Sequence, residues 1–204
     1  YIIKQRTLKT LGSPFPTGDW LFDIDYPSDE PNIYATKLIL TTSYVWVLVH
    51  GTQKLHKLNR TWDGTTYPDS PYIKGNAPSQ TPIVSIDVAC NANSWAVAST
   101  YYIWTTSPST GVLTRCSFDG VVTTYNVVGL TYTGGYYISY IAWLPELQRV
   151  AVSCIGDNTL KLYTEDGVLT NTLNTGTAPG KAFIIGNILY IPCMAAPTTT
   201  RYSF

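Results

Sequence analysis

Two aspartates stand at matching places in the chain: Ile24-Asp25 and Ile86-Asp87 each lie in an alternating apolar run. Paired carboxylates can hold Ca²⁺, a hard cation that takes oxygen ligands, or divide acid and base work between them. Two other runs carry Ile141-Ala142 and Phe183-Ile184 at the comparable places, so no complete ring of ligands forms. The competing role, acceptance of backbone N–H bonds near strand ends, is the favoured one, because paired acids are often structural. Asp25 and Asp87 are nevertheless the candidate metal ligands, and no other cofactor is expected. Asp19, Asp23, Asp25, Asp29 and Glu30 form the densest acidic run; it lacks the DxDxDG spacing of a calcium loop and reads as a solvated segment.

His50 and His56 are the only histidines, and HExxH, GxSxG and P-loop patterns are all absent. No catalytic residue is assigned. Tyr67, Tyr72, Tyr132, Tyr136 and Tyr137 fall in expected loops. An exposed Tyr offers a large contact area at small entropic cost, for stacking on a sugar or a partner protein. Tyr132 and Tyr136, with Asp157 and Asn158 on another loop of the same face, are the candidate binding residues. Packing between neighbouring sheets is the competing role for the aromatics. Asn59-Arg60-Thr61 is a single glycosylation sequon.

The elements that must position these groups are strands. Charged residues make up only 13% of the 204, about half the usual ~25%, and Thr, Tyr, Ser and Asn stand in their place. Net charge is zero, which argues against a nucleic-acid partner, since a phosphate backbone rewards clustered Lys and Arg. No apolar run is long enough for a membrane-spanning helix. The N-terminus shows no signal-peptide pattern and does not begin with Met, so the sequence reads as processed or as a piece of a longer chain. Cys90, Cys116, Cys154 and Cys193 are widely spaced with no CxxC pair, which argues against zinc; buried free thiols are favoured over a disulfide.

The organising stretch is Thr114-Arg115-Cys116-Ser117-Phe118-Asp119-Gly120, a strand ending at an Asp-Gly turn. Asn59-Arg60-Thr61-Trp62-Asp63-Gly64 and Lys161-Leu162-Tyr163-Thr164-Glu165-Asp166-Gly167 share its shape. Thr200-Arg201-Tyr202-Ser203-Phe204 repeats its first five residues with one change. Short runs with turn signals between them predict strands over 20–26, 34–41, 44–50, 53–61, 82–89, 95–106, 112–118, 121–128, 136–143, 149–154, 159–163, 168–173, 181–185, 188–193 and 198–204. The linker 65–81 joins the first unit to the second, with 82–89 as the second unit's innermost strand. Residues 1–11 are expected to close the last unit, which otherwise lacks a fourth strand, and so protect its edge.

Repeats of about 44 to 54 residues with four strands each resemble the β-propeller superfamily in a small, four-bladed form. Trp62-Asp63 is similar to the WD repeat, but Phe118-Asp119 and Glu165-Asp166 replace it elsewhere, so the blades look more like NHL-type or quinoprotein-like ones. The resemblance implies one all-β domain over 1–204: blades at about 19–67, 82–128, 136–173 and 181–204, closed by 1–11. It also implies that innermost strands line a channel into which Asp25 and Asp87 would face. Propellers serve as enzymes, lectins and scaffolds, so fold does not select function. Without catalytic motifs the expected role is a non-enzymatic structural or binding module, displayed outside the cell or on a virus particle. Its partners would be other proteins of an assembly, or a cell-surface receptor or glycan. The alternatives are a glycan-binding or glycan-cleaving propeller using the channel carboxylates, and an intracellular scaffold.

Overall fold

A computed structural model of the chain describes residues 35–41, 44–50, 52–59, 84–91, 93–131, 139–195 and 197–204. They form four antiparallel sheets. The first contains β1 (Ala35–Leu40), β2 (Tyr44–Val49), β3 (Lys54–Asn59) and β4 (Val84–Asp87); the second, β5 (Ala96–Ala98), β6 (Tyr102–Ser107), β7 (Val112–Ser117) and β8 (Val122–Asn126). The third contains β9 (Ile141–Leu144), β10 (Arg149–Cys154), β11 (Thr159–Tyr163) and β12 (Leu169–Asn174). Three strands make the fourth: β13 (Phe183–Ile185), β14 (Ile188–Pro192) and β15 (Thr199–Ser203). Strand order within every sheet follows chain order, as short turns between antiparallel neighbours dictate.

The first strands, β1, β5, β9 and β13, touch one another in succession, so the sheets radiate from a common axis as the blades of a propeller. Burial follows from this geometry. Second strands pack on both sides, and β10 buries every residue from Val150 to Cys154. Outer strands are solvated: β12 is exposed along almost its whole length. Three apolar clusters fill the spaces between consecutive blades. Trp46, Leu48 and Leu55 meet Ile103 and Cys116 in the first; Trp104 and Leu113 meet Ile141 and Val152 in the second; Leu160 and Leu162 meet Leu189 and Ile191 in the third. Each of these large side chains contributes roughly 1.5–3 kcal/mol by leaving water.

The Asp-Gly repeat is a local device. In Ser117-Phe118-Asp119-Gly120 the Gly120 N–H donates to the Ser117 carbonyl at 2.9 Å, and the Ser117 hydroxyl accepts from the Val121 N–H at 3.0 Å. Thr164 makes the same pair of bonds, with Gly167 at 3.0 Å and Val168 at 3.1 Å. Both glycines have φ near +90°, where any Cβ is strained. A hydroxyl residue three places before glycine therefore turns the third strand into the outer one.

A cation links this turn to the blade before it. Lys57 on β3 donates to the Phe118 carbonyl at 2.6 Å, and Arg115 on β7 donates to the Glu165 carbonyl at 2.8 Å. Both stems lie on aromatic faces: Lys57 sits 3.9 Å over Tyr44, and Arg115 sits 4.5 Å over Tyr102.

The strand at 82–89 is placed differently from expectation. Val84–Asp87 pairs with β3, His56 opposite Ser85, and so is the outer strand of the first blade rather than the innermost strand of the second. The run 95–106 supplies that innermost strand. It breaks at Ser99, whose N–H bonds back to the Tyr102 carbonyl at 2.9 Å, giving two strands where one was predicted. The third unit matches expectation closely, with its first strand starting at Ile141. Pairing of 1–11 with the last sheet, like the strand predicted over 20–26, lies outside the described residues.

All four cysteines are buried free thiols. Burial pushes Cys90 and Cys116 up to about 11 and Cys154 up to about 12, so these three are protonated and inert at neutral pH.

Candidate functional site

Where the inner strands begin, four side chains occupy one structural position. The Thr106 hydroxyl donates to the Ser139 carbonyl at 3.0 Å, and the Ser153 hydroxyl donates to the Gly180 carbonyl at 2.6 Å. Each bond ties the second strand of one blade to the residue just before the next blade's inner position, which is Tyr140 in one case and Lys181 in the other. Cross-strand register extends the equivalence. Ile39 opposes Trp46, Val97 opposes Trp104, Ala142 opposes Ala151 and Phe183 opposes Tyr190. Two residues before the first member of each pair stand Lys37, Trp95, Tyr140 and Lys181.

Three of these side chains make contacts from blade to blade. The Lys37 ammonium lies 3.4 Å from the centroid of Trp95, close enough for a strong cation–π contact. Trp95 and Tyr140 have centroids 5.1 Å apart and planes tilted by 55°. Partial burial, and then the charge of Lys181, push the Lys37 pKa below the usual lysine value. Lys37, Trp95 and Tyr140 are half-buried, and Lys181 is exposed. The ion pairs among the described residues are Lys54–Asp87 and Lys161–Asp157, so neither lysine of the ring has a described carboxylate partner. Ser139, next to Tyr140 in the chain, is fully buried with a hydroxyl that finds no partner. A water or a ligand oxygen is the usual answer to such a group.

The loops around the ring form one braced face. The Gly156 N–H donates to the Gly129 carbonyl and the Val127 N–H to the Gly111 carbonyl, both at 2.8 Å. The Met194 N–H donates to the Ala178 carbonyl at 2.8 Å. These bonds set the turns after the second strands of the second, third and fourth blades beside the segments that follow the outer strands of the second and third blades.

Two of the expected binding residues serve this bracing. The Asp157 carboxylate accepts from Thr159 at 2.7 Å and from the buried Lys161 at 2.8 Å. Gly129 lies so near it that a Cβ there would run into the carboxylate. The Asn158 side-chain oxygen accepts from the Ala178 N–H at 3.0 Å, with Asn158 itself in the left-handed region at φ 56. Both side chains are thus occupied within the fold. Tyr132, Tyr136 and Asp25 lie outside the described residues.

Asp87 is not in the channel. It sits on the outer strand β4 with its side chain 88% exposed, paired with Lys54 at 2.9 Å. The shift of Val84–Asp87 from inner to outer strand moves it there, and the paired-carboxylate reading loses one of its two members. Among the described residues no group of three or more His, Cys, Asp or Glu gathers as a metal site would require. His56 bonds the Ser85 hydroxyl at 2.8 Å, while burial and then Lys54 hold its pKa down to about 4. Sequence reasoning missed the ring, because its members are two lysines, a tryptophan and a tyrosine. The available signal was position alone: Trp95, Tyr140 and Lys181 each precede an innermost strand, and Lys37 lies near the start of one.

No protein-family model matches the sequence, and no curated protein does. Solved structures match the fold. A streptogramin B lyase structure gives a TM-score of 0.51 at 13% identity, over 86% of this chain and 55% of that one. The β-propeller domain of Cps50 (Swd1) from Myceliophteria thermophila gives 0.57 at 10%, over 84% and 54%. BBS1N in complex with ARL6DN gives 0.56 at 15%, over 89% and 54%. The chain spans about half the length of these structures. The fold is that of the β-propeller superfamily, and identities this low carry the likeness no further than fold.

Proposed function

We propose that the chain is a non-catalytic β-propeller module that holds a protein partner on the face where its inner strands begin. The observation that carries this reading is the bracing of that face. Asp157, Asn158, Gly129 and Gly156 lock neighbouring loops to one another around an open ring of Lys37, Trp95, Tyr140 and Lys181. A pre-ordered surface loses little entropy on association, and half-exposed Trp and Tyr are the side chains that anchor interfaces. The solved complex of a similar fold with ARL6DN supports a protein partner. The low charge and the abundance of Thr and Tyr support display outside the cell or on a virus particle. An intracellular scaffold is the alternative, since the propeller fold itself serves many roles. A glycan-cleaving reading drew on Asp25 and Asp87 together, and the outer-strand position of Asp87 removes its support.

Affinity capture with three baits tests the proposal: the unchanged chain, Lys181→Glu on the braced face, and Val168→Asp on the solvated rim. A partner retained by the rim variant and lost by Lys181→Glu is the expected result. Loss with Val168→Asp alone would move the interface to the outer strands and overturn the assignment of the face.

A further inference from the structure

The third blade departs from the second at three matched positions on the face turned to the next blade. In the second blade Trp104 opposes Arg115, and Tyr125 opposes Leu113, two residues before Arg115. Tyr125 stacks on Trp104 with centroids 6.2 Å apart. In the third blade Ala151 opposes Leu162, and Leu173 opposes Leu160, two residues before Leu162. Each of Ala151, Leu162 and Leu173 is smaller than its counterpart, and the fourth blade does not fill the difference. A cavity of about 280 Å³ is left between the third and fourth blades. Leu162, Leu173, Leu189 and Phe204 give it apolar walls, and Arg149 lines it as well. We infer that this cavity is a binding site for a small amphipathic carboxylate, whose head meets Arg149 and whose alkyl chain lies among the leucines.

Arg149 supplies the charge. One terminal nitrogen of its guanidinium donates to the Leu147 carbonyl at 3.3 Å and to the Gln148 carbonyl at 2.9 Å. Leu147 itself lines the cavity, so these bonds hold the guanidinium at that end. The ion pairs among the described residues are Lys54–Asp87 and Lys161–Asp157, so Arg149 has no described carboxylate partner. A guanidinium anchored through one nitrogen keeps further N–H groups in a planar fork, the geometry that a carboxylate matches. Among the described lining residues Arg149 alone is charged, which suits a monoanion better than a dianionic phosphate monoester. The Tyr202 hydroxyl is engaged with the Asn174 carbonyl at 2.5 Å, so its ring adds wall. At about 30 Å³ per water-sized group the cavity takes about nine of them, the size of a short alkyl acid. Asn171, Ser203 and Phe204 are exposed, which gives a ligand entry from the rim.

This site shares no residue with the partner face and does not rest on it. Hexanoate and hexan-1-ol, alike in chain length and different in charge, are titrated into the full chain while leucine methyl resonances are followed. Saturable shifts of Leu162, Leu173 and Leu189 are expected, with the hexanoate midpoint about tenfold below that of hexan-1-ol. In Arg149→Gln the hexanoate midpoint should rise about tenfold while that of hexan-1-ol stays in place, which shows that the cavity is intact. Leu173→Phe, made on the solvated outer strand, should fill the cavity and abolish the shifts with both probes. Equal midpoints for the two probes, or an unchanged hexanoate midpoint in Arg149→Gln, overturns the proposal. So does the absence of saturable shifts, the result if another part of the chain fills the space. Loss of both probes in Arg149→Gln would mean that Arg149 holds the cavity open rather than meeting the anion, and overturns it equally.

Discussion

The second and third blades meet differently from the third and fourth. At the former interface Arg115 crosses from β7 to the Glu165 carbonyl and stacks over Tyr102. At the latter, the equivalent residue is Leu162, opposite Ala151 where Arg115 opposes Trp104. Leucine cannot reach the next turn. A cavity of about 280 Å³ remains, lined by Leu162 and Leu173 on one side and by Leu189, Tyr202 and Phe204 on the other. Blades diverge as they leave the axis, so the apolar cluster that seals them near the centre thins toward the rim. A long side chain with a charged tip spans that widening gap and satisfies a turn carbonyl at its far end. The comparison teaches that both interfaces are held near the axis by burial, and that the outer half of the second–third interface adds the Arg115 reach.

The largest test of this contrast is Arg115→Ala. It removes a charge-assisted hydrogen bond and a cation–π contact together, and should cost about 3 kcal/mol in denaturant unfolding. A loss below about 1 kcal/mol would show that the reach matters little and dissolve the contrast. Gly167→Ala acts on the turn that receives Arg115. Its φ of 86 and the Tyr125 hydroxyl pressed against it predict a loss of about 2 kcal/mol. An unchanged midpoint would mean the turn re-forms without glycine.

Leu162→Arg sharpens the comparison in the opposite direction. The new guanidinium should reach the main chain at Phe204 through the existing cavity and stabilise by about 1 kcal/mol. Destabilisation would mean that the gap is too narrow for the reach. Hydrogen exchange offers a measure without substitution: amides of β14 should open at a lower free energy than those of β6, the second strand of a latched blade. The smallest effect is a pH dependence remote from both interfaces. Burial depresses the His56 pKa to about 4, so the unfolded chain binds the proton more readily. The contribution is full above about pH 6.5, declines as pH falls, and is lost by about pH 4; His56→Gln should flatten the stability profile across that window.

Much of this architecture could be read from the chain directly. The turns at Ser117–Gly120 and Thr164–Gly167 follow from a hydroxyl residue three places ahead of glycine, and the third blade follows from four alternating runs with clear breaks. The blade to which Val84–Asp87 belongs did not follow. An alternating run shows that it is a strand with one buried face, but carries no mark of which neighbour it pairs with. The preceding 60–83 segment is long enough to serve as either a link between blades or a link within one. With that strand went Asp87, and with Asp87 the channel carboxylates. Lys37, Trp95, Tyr140 and Lys181 mix three residue types, so no repeat in the letters announced their equivalence.

Side-chain alternation and turn chemistry act over a few bonds, and so strands, turns and the propeller class were determined by the sequence itself. Pairing partners depend on which distant surfaces bury each other, and the axial ring depends on four segments converging from across the chain. Those outcomes belong to the tertiary structure, because the energy deciding them lies in contacts that no local stretch contains.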